Sequence, residues 1–152
     1  MQIYNAQIPQ FTLAATTTAF GTFISGTVNA NMILELDFQG RGTSSADNEI
    51  GLYRIATAGV TGAGAITPQP TNPGYTAWAG TAFSSYTTQP VKGVLAHNIP
   101  LNSNGQRYFW RCNPNNNNAI AIPAGNVAAA SVGFFPISGT GSVGGRIQLA
   151  QI

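Results

Sequence analysis

The chain has 152 residues, and only 7% of them are Asp, Glu, Lys or Arg, whereas an ordinary soluble domain has about a quarter. One cysteine excludes an internal disulfide, and a formal charge of +2 that rests on so few groups does not indicate a nucleic-acid partner. Charged side chains normally keep a surface soluble and prevent sheet edges from pairing with other chains. This composition therefore predicts that neighbouring molecules cover much of the surface, and it favours a structural role over catalysis.

Strand signals recur along the whole chain, whereas no stretch carries a convincing helical stripe. Thr, Gly, Asn, Val and Ile are common, and turns rich in Asn, Ser, Pro and Gly separate the β-like stretches, including one at 113–118. The predicted strands cover 3–13, 22–28, 32–38, 50–56, 92–99, 106–112, 119–122, 132–137 and 145–152. These short strands predict an all-β fold, a single jelly-roll-like β-sandwich domain of about eight antiparallel strands over residues 1–152.

Two of the predicted strands carry most of the charged and aromatic side chains, and their residues alternate between the two faces of the sheet. In 32–38, one face carries Met32, Leu34, Leu36 and Phe38, and the other carries Ile33, Glu35 and Asp37. In 107–112, one face carries Arg107, Phe109 and Arg111, and the other carries Tyr108, Trp110 and Cys112.

The carboxylates Glu35 and Asp37 share a face, and four arginines lie in predicted strands: Arg54, Arg107, Arg111 and Arg146. This pattern predicts cross-strand ion pairs, which can also cross a subunit boundary. The alternative is a pair of catalytic carboxylates such as glycosidases use. A zinc site needs three or four ligands, and His97 and Cys112 have none beside them in sequence, so we expect no metal or other cofactor.

The arginine–aromatic stretch 107–112 has two interpretations. Aromatic rings between arginines can bind single-stranded nucleic acid by stacking and charge. The same stretch can instead be a core strand whose arginines lie at a protein interface. The second interpretation is favoured, because little positive charge elsewhere in the chain would neutralise phosphates. Arg107 and Arg111 are therefore predicted interface residues, and no nucleic-acid partner is expected.

A long segment, 59–90, interrupts the strand rhythm with Gly, Ala, Pro and Thr and predicts at most one short strand or a helical turn near 76–82. Its aromatic residues predict an ordered excursion rather than a linker. We expect these residues to anchor a protein contact, with stacking on sugars as the alternative: Tyr75, Trp78, Phe83 and Tyr86.

The N-terminal segment 1–13 is uncharged and broken by Pro9, which suits an edge strand or a bulge. It is expected to act as an arm that adds a strand to a neighbouring subunit. Deletion of residues 1–10 would then weaken oligomers and leave the β-sheet intact. No stretch reaches the ~20 apolar residues that span a bilayer, so no membrane partner is predicted.

The order of these segments resembles that of small capsid decoration, or cement, proteins of tailed phages. The resemblance lies in a β-like start at 2–13, the aliphatic strand 32–38 and a Gly/Ser/Asp turn at 40–48. An arginine-containing strand follows at 49–55, then the Thr/Pro/Gly-rich excursion, an aromatic strand with a proline turn at 108–114, and a β-like end at 146–152. The resemblance implies a β-sandwich that coats or clamps a capsid, often as a trimer, and it brings no catalytic residues.

The sequence thus predicts a non-enzymatic structural protein on the capsid surface of a virion. Its expected partners are copies of itself, as a homotrimer, and the major capsid protein, with no small-molecule substrate. The alternatives are a phage tail or fibre component that binds carbohydrate or a receptor, a small coat subunit, and a hydrolase that uses Glu35 and Asp37.

Overall fold

The structure, a computed structural model, describes residues 1–61, 64–113, 118–125 and 127–152, and every structural statement below concerns these residues. Most of them lie in antiparallel strands, and their one helical turn is a 3-10 turn at Ala128–Ala130. None of them forms a helix with the length and apolar character needed to cross a bilayer. The predicted turn at 113–118 falls largely on residues 114–117, which lie outside the described residues.

Fourteen strands are present in the described residues. They are β1 (Gln2–Thr12), β2 (Gly21–Ile24), β3 (Asn31–Gly40), β4 (Asp47–Thr57), β5 (Val60–Thr61), β6 (Ala65–Ile66), β7 (Gln69–Pro70), β8 (Thr81–Phe83), β9 (Tyr86–Thr88), β10 (Val91–Asn102), β11 (Arg107–Arg111), β12 (Ile120–Ile122), β13 (Ser131–Ser138) and β14 (Ser142–Gln151). Each of the nine predicted stretches contains one of these strands, with ends that differ by a few residues.

Two six-stranded antiparallel sheets form the sandwich. Sheet A has the order β11-β3-β14-β1-β7, with β12 also paired to β3, and sheet B has the order β10-β4-β13-β2-β8-β6. Along the chain, the long strands pass between the sheets at every step except from β4 to β10, which are neighbours in sheet B, as in a jelly roll of two sheets. The predicted all-β, jelly-roll-like sandwich is therefore confirmed.

The core lies between the sheets and is built from the inward face of each long strand. Phe134 on β13 is at its centre, with ring centroids 5.0 Å from Phe38, 6.2 Å from Phe20 and 6.4 Å from Phe23. All four rings are almost fully buried. Burial of such a side chain contributes about 1.5–3 kcal/mol, so this cluster is a main source of the free energy that holds the sheets together.

Strand β3 departs from the predicted alternation. Its partner β14 places Leu149 opposite Ile33 and Gln148 opposite Glu35, so Leu34 is an extra, bulged residue. The bulge puts Ile33 in the core with Leu36 and Phe38 and leaves Met32 and Leu34 half-buried outside it. The prediction that Met32 and Leu34 share a face with Leu36 and Phe38, and that Ile33 lies on the other face, is therefore wrong. Glu35 and Asp37 share a face as predicted, and Arg146 bridges them.

The excursion 59–90 is ordered where it is described, while residues 62 and 63 lie outside the described residues. It contributes five short strands rather than the single short element predicted. Strand β7 pairs with β1 at Tyr4 and Asn5, and β8 pairs with β2 and β6, so the excursion supplies the last strand at one edge of each sheet.

The N-terminal segment 1–13, expected as an arm, instead forms β1 inside sheet A. Strand β1 pairs with β14 from Gln2 to Thr12 and places Tyr4, Ala6 and Ile8 in the core. Its pairing with β14 shifts register between Ile8 and Phe11, which confirms the irregularity predicted from Pro9. The segment is part of its own sandwich because its alternate residues are the apolar ones that the core requires.

Candidate protein interface

The outward face of sheet A carries a cluster of ion pairs, because β3 lies between β11 and β14. Arg111 on β11 is directly opposite Glu35, and Arg146 on β14 is directly opposite Asp37. Arg107 lies two residues along β11 from the position directly opposite Asp37, and its side chain reaches Asp37 diagonally. The predicted pairing of carboxylates is confirmed for Arg107, Arg111 and Arg146, as an interaction within the chain. It is wrong for Arg54, whose guanidinium donates to the backbone carbonyl of Ala121 and forms no ion pair among the described residues.

The arginines lie over the carboxylates and shield them from solvent. Arg107 holds Asp37 with two bonds, Nε to Oδ1 at 2.7 Å and Nη2 to Oδ2 at 2.8 Å. Arg111 donates Nε and Nη2 to the same Glu35 oxygen, the first at 2.8 Å. Arg146 Nη2 bridges both carboxylates at 3.6 and 3.7 Å. The carboxylate side chains are 8% and 18% exposed, whereas those of Arg107 and Arg111 are 61% and 68% exposed, so the surface presents cations.

The surroundings of Asp37 do not suit a general acid. The hydrogen bonds from Arg107, aided by the charges of Arg107 and Arg146, hold the pKa of Asp37 below its ordinary 3.8. A glycosidase acid needs a raised pKa to keep its proton near neutral pH. What the arrangement can do is present guanidinium N–H groups that carboxylates of another molecule can accept.

Phe109 lies between Arg107 and Arg111 on the same outward face and is 48% exposed. Its ring centroid is 5.5 Å from the Arg107 guanidinium carbon and 5.8 Å from that of Arg111. On the opposite side of the strand, Tyr108 and Trp110 pack against the core, as the alternation predicts. An exposed ring braced by two arginines is the kind of residue that dominates protein interfaces.

An apolar groove of about 440 Å³ borders the ion pairs. Its walls are Met1, Met32, Leu34, Cys112 and Gln148, together with Glu35 and Arg111. The groove exists because the bulge in β3 turns Met32 and Leu34 outward. Sequence reasoning missed this groove, since strict alternation assigns both side chains to the core face.

At the other end of the same face, a polar groove of about 350 Å³ is lined by Gln7, Gln39, Arg41, Arg107, Arg146, Asp37 and Gly145. Arg41 therefore belongs to the same surface, although the sequence analysis did not single it out. Four arginines and two carboxylates give this face a formal charge of +2, which equals the charge of the whole chain. We call this surface, with Phe109 and the apolar groove, the arginine face.

The four aromatic residues predicted as contacts in the excursion are positioned differently. Trp78 is only 9% exposed, packs edge-on against Phe23 and donates its indole N–H to Asn31 Oδ1 at 2.9 Å. It anchors the excursion to its own sandwich. Phe83 and Tyr86 form an edge-to-face pair at 6.1 Å, and both are half-buried, as is Tyr75. The four residues do not form one exposed patch, and their role in an intermolecular contact stays a prediction.

The hydroxyl of Tyr86 is buried and has no hydrogen-bond partner among the described residues. Burial raises the pKa of this phenol well above its ordinary 10.0.

His97 Nε2 lies 2.7 Å from the Tyr108 hydroxyl, and its ring centroid is 5.0 Å from that of Trp110. Within the described ranges no three His, Cys, Asp or Glu side chains converge as a metal site would require.

Comparison with known proteins gives no relative that defines a family. No protein-family model and no curated protein sequence matches the chain. Among solved structures, the chain is similar to VP2 of infectious bursal disease virus in a subviral particle, at 12% identity over 97% of this chain and 40% of that one, with a TM-score of 0.19. The structure of the Gx strain of the same virus matches at 17% identity over 98% and 40%, with the same TM-score. The chain spans about two fifths of those chains, and scores this low carry no argument about function.

Proposed function

We propose that this protein is a structural, non-enzymatic component of a virion that decorates the capsid surface and binds both its own copies and the major capsid protein. The observation that supports this most directly is the distribution of charge. A sandwich with almost no ionised side chains collects its whole formal charge on the arginine face, beside an exposed ring and an apolar groove. Such a surface has the mixture of aromatic, arginine and apolar groups that protein interfaces use.

The jelly roll is compatible with this role, since viral capsid and lectin domains use two-sheet sandwiches of this kind. The fold alone does not assign a function, so the proposal depends on the arginine face. The ion pairs below that face support a structural role, because both carboxylates are held by arginines and Asp37 is kept ionised.

The mechanism is thermodynamic. A subunit that bridges neighbouring capsid proteins binds the assembled shell and not its free subunits, so it stabilises the shell by mass action. At a free concentration one hundred times the dissociation constant, this linkage supplies about 2.7 kcal/mol for each site. A contact of standard size, about 1,600 Å², is sufficient, and a trimer that engages several sites at once binds more tightly still.

The test uses purified chain and virus shells that lack it. We expect the chain to sediment with the shells in saturable amounts and to raise the temperature at which they disassemble. Phe109→Ala should reduce the bound amount, whereas Val28→Ala, which trims an exposed apolar residue outside the arginine face, should not. No binding to shells, or binding unaffected by both substitutions, would argue against a decoration role through this face.

A tail or fibre component that binds carbohydrate is the second candidate. Phe109 favours it, because a ring that is 48% exposed can stack on a sugar as well as on a protein. A glycan array separates the two candidates: a decoration protein leaves every glycan unbound, and a fibre component binds at least one through Phe109.

A further inference from the structure

The outward face of sheet B carries the remaining acidic residues. Strand β4 alternates without interruption, so Asp47, Glu49, Gly51 and Tyr53 share one face, while Asn48, Ile50 and Leu52 are buried on the other. Leu95 on β10 is opposite Tyr53, is 45% exposed, and lies over Gly51 beside the Tyr53 ring. We call this surface the acidic face.

Asp47 and Glu49 are not neutralised within the described part of the chain. Their hydrogen-bond donors are the uncharged amides of Asn102 and Asn98, and neither carboxylate takes part in an ion pair there. A cation on this face, Lys92, is opposite Ile55, but its ammonium lies 5.0 Å from the Tyr53 ring centroid and donates to the Thr16 carbonyl oxygen at 3.0 Å. Tyr53 is four residues along β4 from Glu49 and six from Asp47, roughly 13 and 20 Å, which exceeds the Debye length of about 8 Å at physiological ionic strength, so Lys92 pairs with neither carboxylate.

The two outward faces therefore carry opposite charge and a similar layout. On the acidic face, Glu49 lies four residues, about 13 Å, from the apolar pair Tyr53 and Leu95. On the arginine face, the guanidinium groups of Arg107 and Arg146 converge on Asp37, which lies three to five residues, about 10–17 Å, along β3 from the groove residues Leu34 and Met32. When these two arginines are paired with Glu49, the apolar groove therefore lies at the level of Tyr53 and Leu95.

We propose that the arginine face of one copy binds the acidic face of a second copy. This inference depends on the self-association in the proposed function and names the surfaces that carry it. The two faces lie on opposite sides of the sandwich, so the contact is head-to-tail. Each copy can bind one neighbour through its arginine face and another through its acidic face. Because the two faces are opposed, repeated contacts of this kind stack copies in a row, and a heterologous contact whose rotation does not close generates a filament.

The chain contains a probe for this geometry, because its one cysteine, Cys112, lines the apolar groove of the arginine face. The experiment introduces a second cysteine on the acidic face with Leu95→Cys and oxidises the purified protein under mild conditions. In the proposed contact, the introduced thiol of one copy faces Cys112 of the next. We expect disulfide-linked dimers and higher multimers on a non-reducing gel, all lost on reduction.

Two controls fix the interpretation. Val28→Cys adds an exposed cysteine outside both faces and should give no ladder, and Leu95→Cys with Cys112→Ala should give no cross-link at all. A cross-link that survives Cys112→Ala would mean that like faces meet, and it would overturn the proposal. Oligomers in sedimentation that never cross-link through Leu95→Cys would overturn it as well.

The electrostatic part is tested with Asp47→Lys and Glu49→Lys together, which makes both faces basic. We expect self-association to weaken about a hundredfold, because like charges brought face to face are strongly unfavourable. Circular dichroism should be unchanged, since neither carboxylate is in the core. An unchanged association constant would overturn the proposal. If this variant is monomeric and still binds shells, the decoration role is independent of self-association. If the wild-type chain self-associates but binds no shell, the contact between copies holds and the decoration role fails.

Discussion

At the residue scale, Phe109 and Trp110 are neighbours in sequence that act on opposite sides of β11. Phe109 is exposed between two arginines, whereas Trp110 packs against the core beside His97. Strand alternation alone assigns them these positions, and the structure agrees. We therefore expect substitutions at these two adjacent positions to separate an effect on binding from an effect on stability.

Phe109→Ala should therefore weaken self-association and shell binding while changing the free energy of unfolding by no more than about 0.5 kcal/mol. Trp110→Ala should cost about 3 kcal/mol of stability, because it leaves a cavity against the core. Urea unfolding and sedimentation of the two variants measure both quantities. The assignment fails if the Phe109 variant is the less stable of the two.

His97 adds a pH dependence of stability. Burial lowers its pKa below the ordinary 6.5, so the folded protein holds a neutral ring that can accept the Tyr108 hydroxyl proton at Nε2. Below pH 6.5 the unfolded chain binds a proton that the folded chain excludes. The stabilisation is complete above pH 6.5 and is lost as the pH falls through the lower folded value.

We expect the wild-type melting temperature to fall as the pH is lowered from about 7.5 to about 5.5, and His97→Gln to flatten that slope. Calorimetry at several pH values is the measurement. A wild-type curve that is flat over this range would contradict the account of a buried neutral His97.

At the element scale, strand positions were predictable and the bulge was not. All nine stretches were found because alternation and turn residues are local properties of the sequence. The bulge at Leu34 depends on how Gln148 and Leu149 pair with β3, which no local pattern encodes. The ion pairs were predictable in kind from residue types, whereas the apolar groove, which depends on the bulge, was not.

The excursion shows the same limit. Its aromatic residues indicate order, but the anchoring of Trp78 on Asn31 and the strands that cover the sheet edges depend on partners tens of residues away. Residue propensities do not distinguish a strand of two or three residues from a loop. From the sequence alone, a buried Trp78 that anchors the excursion therefore could not be distinguished from an exposed Trp78 at an interface.

Strand β1 makes a prediction at this scale. Deletion of residues 1–10 removes Tyr4, Ala6 and Ile8 from the core and exposes the edge of β14, so we now expect loss of cooperative unfolding and of the native circular dichroism. Three losses of core burial approach the whole stability of a typical domain, about 5–15 kcal/mol. Gln10→Ala, at an exposed position of the same strand, should fold normally. A truncated chain that folds normally and only loses its oligomers would instead support the expectation that residues 1–13 act as an arm on a neighbouring subunit.

At the scale of the whole molecule, the proposed recognition of a partner depends on how the few ionised groups are distributed. The formal +2 is concentrated on the arginine face, and the two carboxylates of the acidic face form no ion pair among the described residues. The rest of the surface is mostly polar but uncharged, or apolar. Specificity then depends on few groups, each with a large effect.

The central claim is that this sandwich is a surface component of a viral shell, and counting its copies in purified particles tests that most directly. Particles are banded on a density gradient, and quantitative mass spectrometry compares this chain with the major coat protein. The account predicts copies in the hundreds for each particle, in fixed ratio to the coat protein. A handful of copies would indicate a tail or fibre part, and absence from the particles would contradict the account.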